Sequence, residues 1–318
     1  MGVSSFDVCK ANSFIGPPPG LTTGQVYYVS NTVVAPGGIG GSDGNDGKSP
    51  LTPFSTLDYA VSQCVANRGD IIYVMPGHAE TVTASDIGID VAGVSVIGLG
   101  NGATRPTFNL NATGSTIAMS AADCRLDNVL LTGGVDAIVA VITVSAADCK
   151  IVNVEYRDVT GQCTDGILTT AAANRLEISG LRWDGATAAG TNAAIALVGG
   201  DRIHIHDCRF DGNFAVGVID VRTTATTDLE VHDCAARTQN AADIFLIDTI
   251  TASTGMIGPR IQIRVNDNAA NITEAITGAT FVLFGGGASG LTSGSAILVV
   301  NLAGEIAMPI NTTQSTDA

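Results

Sequence analysis

Two stretches, SAADCRLDNVLL at Ser120–Leu131 and SAADCKIVNVEY at Ser145–Tyr156, repeat one plan at a shift of 25 residues. Apolar residues alternate with polar ones, and a small polar residue interrupts the run midway. Three later runs follow the same plan: LEISGLRW from Leu176, IHIHDCRF from Ile203 and LEVHDCAA from Leu229. The interrupting residues are Asn128, Asn153, Gly180, Asp207 and Asp233, spaced by 25, 27, 27 and 26 residues. A fixed period of this size marks a solenoid, in which each repeat buries its apolar face only against its neighbours.

The short-range period decides which solenoid. Period two with a break reads as strand, corner, strand, whereas helical repeats would show apolar residues at i, i+3 and i+4. Asn, Asp and Gly at the break suit a left-handed corner. A further strand precedes most of these runs: IAM at Ile117, ITV at Ile142, IAL at Ile195 and IDV at Ile219. Three short strands per coil of about 25 residues predict an all-β fold, a parallel β-helix. The crossover rule for parallel strands makes it right-handed. About seven coils at the strand spacing give a height of roughly 35 Å. Alignment of the runs places Arg125, Lys150, Glu177, His204 and Glu230 in one outward row. Asp127, Val152, Ser179, His206 and His232 form the next. Tyr156, Trp183 and Phe210 share an inward row.

The flanks read differently. IGPPPG at Ile15–Gly20 excludes helix and internal strand, so residues 1–25 are expected to be an extended arm. VYYVS at Val26–Ser30 is a short strand. After the glycine-rich loop Gly37–Phe54, apolar residues Leu57, Ala60, Val61, Cys64 and Val65 predict a helix over residues 56–67. Ser55 and Asp58 are its expected capping pair and Gly69 its stop. This helix is expected to cover the open end of the solenoid, whose edges would otherwise be unpaired. The β-helix with its cap is assigned to residues 26–268. Residues 269–318 form a C-terminal β segment and tail, expected to close the far end or to make oligomer contacts.

Composition narrows the function. Net charge is −15 with pI near 4.4, which argues against a nucleic-acid partner and an anionic membrane surface. No apolar run approaches a membrane span. MGVSSFDVCK shows no secretory signal pattern. Seven cysteines are an odd number and do not suggest a disulfide framework. Cys124 with Cys149, and Cys208 with Cys234, fall in inward rows as small apolar fillers of a chain folding in a reducing cytoplasm.

GSDGNDGKSPLTPFSTLDYAV followed by GDIIYVMPGHAE resembles the N-terminal cap of pectate-lyase-like right-handed β-helix proteins. The resemblance covers the cap closely and the coils in pattern, over roughly residues 26–268. The family includes bacteriophage structural proteins, typically trimeric, and polysaccharide-degrading enzymes. It therefore implies the fold, and leaves function to the site.

A glycan hydrolase of this kind needs paired carboxylates, and a lyase needs clustered acids with a base. The two outward rows contain no adjacent carboxylate pair. Asp207, Arg209 and Asp211 are the most enzyme-like constellation, although Asp207 also occupies a corner. Aromatic residues are only 5 % of the chain, too few for a sugar-stacking groove. His204, His206 and His232 with Glu230 form a candidate site for zinc or another divalent metal, against the plainer reading of a solvated face. Asp43, Asn45 and Asp46 suggest a turn-rich loop more than a calcium loop. The expected function is a non-enzymatic phage virion protein without cofactor: a homotrimeric capsid decoration protein whose partners are itself and the major capsid protein. A tailspike-like glycan depolymerase or lyase is the alternative.

Overall fold

The corners carry the fold. In the computed structural model, Asn128, Asn153, Asp207 and Asp233 hold φ of 54°, 51°, 55° and 53°, and Gly180 holds 65°. A second left-handed row lies at Asp123, Asp148, Arg175, Arg202 and Asp228. The short strands between the two rows are thus bent at both ends, and each coil returns over the last. The structure describes residues 23–32, 38–83, 87–158, 163–185, 191–238, 244–250, 252–265, 276–277, 281–283 and 286–289.

Among the described residues the strands stack into three parallel sheets of ten, nine and eight strands, with a further two-stranded pair of Gly200–Asp201 and Thr226–Thr227, forming a solenoid of about seven turns. The first sheet runs from Val26–Val29 to Phe281–Leu283, the second from Ala79–Val82 to Gly286–Ser289, and the third from Ile87–Ile89 to Ile276–Thr277. Register follows the repeat: Leu126, Ile151, Ile178, Ile205 and Val231 lie one above another. In the third sheet Ile117, Ile142, Ile167, Ile195 and Ile219 do the same. All ten are buried. Each such side chain contributes about 1.5–3 kcal/mol by leaving water. The inward aromatic row is also as expected. Trp183 is buried and stacks on Tyr156 with ring centres 4.3 Å apart. Cys64, Cys124, Cys149, Cys163, Cys208 and Cys234 are all free and buried.

The cap helix is shorter than expected, Leu57–Ser62. The apolar stripe extends to Val65, but Val65 is exposed and Asn67 and Gly69 turn left-handed. The amide of Val65 donates to Asp70 at 2.8 Å rather than continuing the helix. Its N-terminus is capped from a distance. Asp43 accepts the backbone N–H groups of Ser55 and Thr56, and Glu80 accepts that of Leu57. Asp43 is thus a cap, and Asp46 is held by Thr52 and Lys48 within its own loop. Asp58 faces the other way and accepts the N–H of Gly88. That amide belongs to Ile87–Ile89, the edge strand of the third sheet, so the helix satisfies an edge as well as covering it.

Parallel stacking continues beyond residue 268. Phe281–Leu283 pairs with Gly255–Ile257, and Gly286–Ser289 with Ile261–Val265. The GGAS strand has almost no side chains, so alternation could not reveal it. The expected N-terminal arm up to residue 22 and the C-terminal tail from residue 290 lie outside the described residues. Among the described residues no helix is long and apolar enough to cross a membrane.

Candidate functional site

The outward face of the first sheet gathers three of the four histidines, and the fourth, His78, is buried. Ile203, Ile205, Leu229 and Val231 point inward and are fully buried, so their neighbours His204, His206, Glu230 and His232 must face out. Register sets His204 beside Glu230, and His206 beside His232. The preceding strand adds Glu177 next to His204. A two-by-two block of potential ligands results, built by alternation along each strand and by stacking across coils.

The corner aspartates orient two of the rings. Asp207 Oδ2 lies 2.8 Å from His206 Nδ1, and Asp233 Oδ2 lies 2.7 Å from His232 Nδ1. A carboxylate oxygen accepts from Nδ1–H, and the neutral imidazole in that tautomer has Nε2 as its acceptor nitrogen. Asp233 is also held by Arg260, and these partners, Arg260 first, pull its carboxyl down to about 2. His204 Nε2 sits 2.8 Å from His232 Nε2; with His232 in that tautomer, His204 is the donor. Burial, then the neighbouring His206, holds the His204 imidazole below its ordinary pKa, which favours the neutral ligand form.

One ligand atom from each of His204, Glu230 and His232 lies within 4.8 Å of the other two. His206 stacks on His204 at 4.3 Å, but its Nε2 turns to Glu177, 3.7 Å away. Of the four metal candidates, three converge and the fourth supports them. Glu177 is held chiefly by Lys150 at 2.5 Å, which lowers its pKa.

The enzyme-like trio is divided between a corner and a strand face. Asp207 serves the corner and His206. Arg209 and Asp211 lie on the outward face of the second sheet, and Asp211 is clasped by Arg237 at 3.0 and 2.6 Å. Asp207 and Arg209 do line one open cleft of about 350 Å³, together with Asp233, Arg260 and Gln262. The second sheet also holds what the histidine face lacks: Asp184 is the register partner of Asp211, and Arg182 of Arg209. The alignment of Trp183 with Phe210 already implied this pair, one residue further on.

A second polar cluster, on the third sheet, had no signal in the repeat. Arg222 bonds both Asp165 and Asp220, the latter at 3.3 Å. Both carboxylates are buried. Burial, reinforced by Asp165 and Asp248, pushes the Asp220 pKa up against the opposing pull of Arg222. The strand IDV reads as plain alternation, and only tertiary structure reveals that its outward aspartate is covered. No protein-family model, curated protein or solved structure matches this chain.

Proposed function

We propose that this chain is a non-enzymatic structural protein of a bacteriophage particle, a homotrimeric decoration protein bound to the major capsid protein on the head surface. The observation that carries the non-enzymatic reading is the engagement of the outward acids. Asp127 pairs with Arg125, Glu155 with Arg105 and Arg157, Glu177 with Lys150, Asp211 with Arg237 and Asp233 with Arg260. A carboxylate engaged by a neighbouring cation has its oxygens occupied and is less available to a substrate. Ladders of compensated charge also suit a rigid surface that binds through area rather than chemistry. Virion location and trimeric state rest on the resemblance of the cap to phage β-helix proteins and on the acidic, aromatic-poor composition. Electron cryomicroscopy of particles containing the chain tests this. Density in many copies over an icosahedral shell is expected; density confined to a few tail appendages would overturn it.

One observation favours the glycan-active alternative. Asp184 and Asp211 stand on neighbouring coils beside Arg182 and Arg209, and stacked coils bring carboxyls to about the 5 Å separation of retaining glycosidases. Release of reducing ends from host surface glycan by the native chain, abolished in Asp184→Asn, would establish that reading.

A further inference from the structure

The geometry points to a divalent transition-metal site on the outer face of the first sheet, with His204 Nε2, His232 Nε2 and a Glu230 carboxylate oxygen as ligands. One ligand atom from each of these three residues already lies within 4.8 Å of the other two. A tetrahedral ion with bonds of about 2.0–2.2 Å holds its ligand atoms about 3.3 Å apart. The two imidazole nitrogens, now 2.8 Å apart, need to separate by about half an ångström. Glu230 Oε1, now 3.9 Å from His232 Nε2, needs to close by a similar amount. Both are side-chain adjustments on fixed strands.

The supporting groups are those a metal site requires. Asp233 accepts from His232 Nδ1, which fixes the tautomer and aims Nε2 at the ion, and Arg260 anchors Asp233 in turn. This carboxylate–histidine arrangement raises ligand basicity and is a recurrent outer shell of metal sites. His206, stacked on His204 at 4.3 Å and on His232 at 5.3 Å, walls one side. On binding, the proton that His204 Nε2 donates to His232 must leave that nitrogen. His204 then carries its proton on Nδ1, and no net charge is lost from the ring.

The donor set selects the ion class. Two imidazoles and one carboxylate suit Zn²⁺, Co²⁺, Ni²⁺ and Cu²⁺, whereas Ca²⁺ and Mg²⁺ require oxygen ligands. Three protein ligands leave a fourth position open to solvent. The ligands come from two successive coils, His204 from one and Glu230 and His232 from the next, so the ion staples neighbouring turns. This site is independent of the proposed virion role, which needs no metal.

The test is titration of the full-length, untagged chain with Co²⁺ and Zn²⁺ in excess Mg²⁺. Calorimetry gives stoichiometry, and the visible absorption of four-coordinate Co²⁺ reports geometry. One ion per chain is expected. His232→Ala should weaken binding at least 100-fold, Asp233→Asn 10–100-fold, and His206→Ala less than either. All three positions face outward, and circular dichroism verifies that each variant folds. If a ligand variant fails to fold, Glu230→Gln replaces it, with loss of the four-coordinate Co²⁺ spectrum expected. Absence of saturable binding by the native chain, or unchanged binding in a folded ligand variant, would overturn the assignment.

Discussion

Replacement of Asn128 separates the two things a corner residue does. Its φ is 54°, and its side-chain Nδ2 donates to Gly98 O at 2.8 Å and Gly100 O at 3.0 Å. Each hydrogen bond contributes about 0.5–1.5 kcal/mol net, so the pair contributes about 1–3 kcal/mol. A left-handed backbone costs a residue with a Cβ about 1–2 kcal/mol. Asn reduces that cost through its local polar side chain, and Ala does not. Asn128→Ala should therefore destabilise by about 2–4 kcal/mol. Asn128→Gly loses the same hydrogen bonds but none of the backbone compatibility. After its larger unfolded-state entropy is counted, it should be about 1 kcal/mol more stable than the alanine variant. Asn153 provides the control, because it has the same corner geometry and only one long side-chain bond, 3.5 Å to Asp127. Asn153→Gly should be near neutral, and Asn153→Ala should lose about 1 kcal/mol. Urea unfolding followed by the fluorescence of Trp183, the chain's one tryptophan, measures all four. Equal stability of the Ala and Gly variants at both positions would refute the conformational argument, and a near-neutral Asn128→Gly would refute the hydrogen-bond argument.

Burial drives the thiol pKa values up, to about 12 for Cys64 and Cys163 and about 11 for Cys149. At most one of the seven cysteines, Cys9, should therefore react with Ellman's reagent under native conditions, and all seven after denaturation. Asp220 has a raised pKa in the folded state, so the fold holds a proton that the unfolded chain releases. Stability should fall as pH rises from the ordinary carboxylate value of 3.8 through the raised one. Melting temperatures of Asp220→Asn across that range should show the slope reduced. Asp70 is the opposite case: burial opposes its charge, but Arg68 and the amides of Val65 and Gln25 outweigh it and lower its pKa. Its contribution is present above the ordinary carboxylate value and lost as pH falls through the depressed one. Asp70→Asn should cost about 3 kcal/mol at neutral pH, and the difference in urea midpoint should shrink in strong acid.

The solenoid was legible because its rules are local and repeated. Alternation fixed which residues face inward, and the corner at Asn128, Asn153, Gly180, Asp207 and Asp233 fixed the register. Together they placed His204, His206, Glu230 and His232 on one face. What stayed hidden depended on distant partners. The caps of the helix come from Asp43 and Glu80, 13 and 23 residues from the amides of Thr56 and Leu57, and no local pattern announces them. The helix ends at Ser62, and the amide of Val65 goes to Asp70, five residues further on. Asp165 and Asp220 share Arg222, but Asp220 stacks in register with Ala196 and Leu168 rather than with Asp165, so the repeat does not align them. The strand Gly286–Ser289 has no side-chain alternation to read.

Asp207 shows how fold and site compete for one residue. A carboxylate beside an arginine in a cleft invites a catalytic reading. The same aspartate occupies a left-handed corner that Asn fills at positions 128 and 153, and its carboxylate is turned to His206 Nδ1. Asparagine keeps the left-handed preference and removes the charge. Asp207→Asn should thus leave stability within about 0.5 kcal/mol of the native chain, as at an ordinary exposed position. Asp207→Val puts a β-branched side chain into the left-handed region and should cost about 2 kcal/mol or more. For a structural role, incorporation into particles should follow folding: unchanged for Asn and reduced for Val. A catalytic role requires the reverse, in which the well-folded Asn variant is the inactive one. Urea unfolding, particle incorporation and release of reducing ends from host surface glycan, measured on both variants, separate the two: glycan cleavage by the native chain that is lost in the stable Asn variant would refute the structural reading.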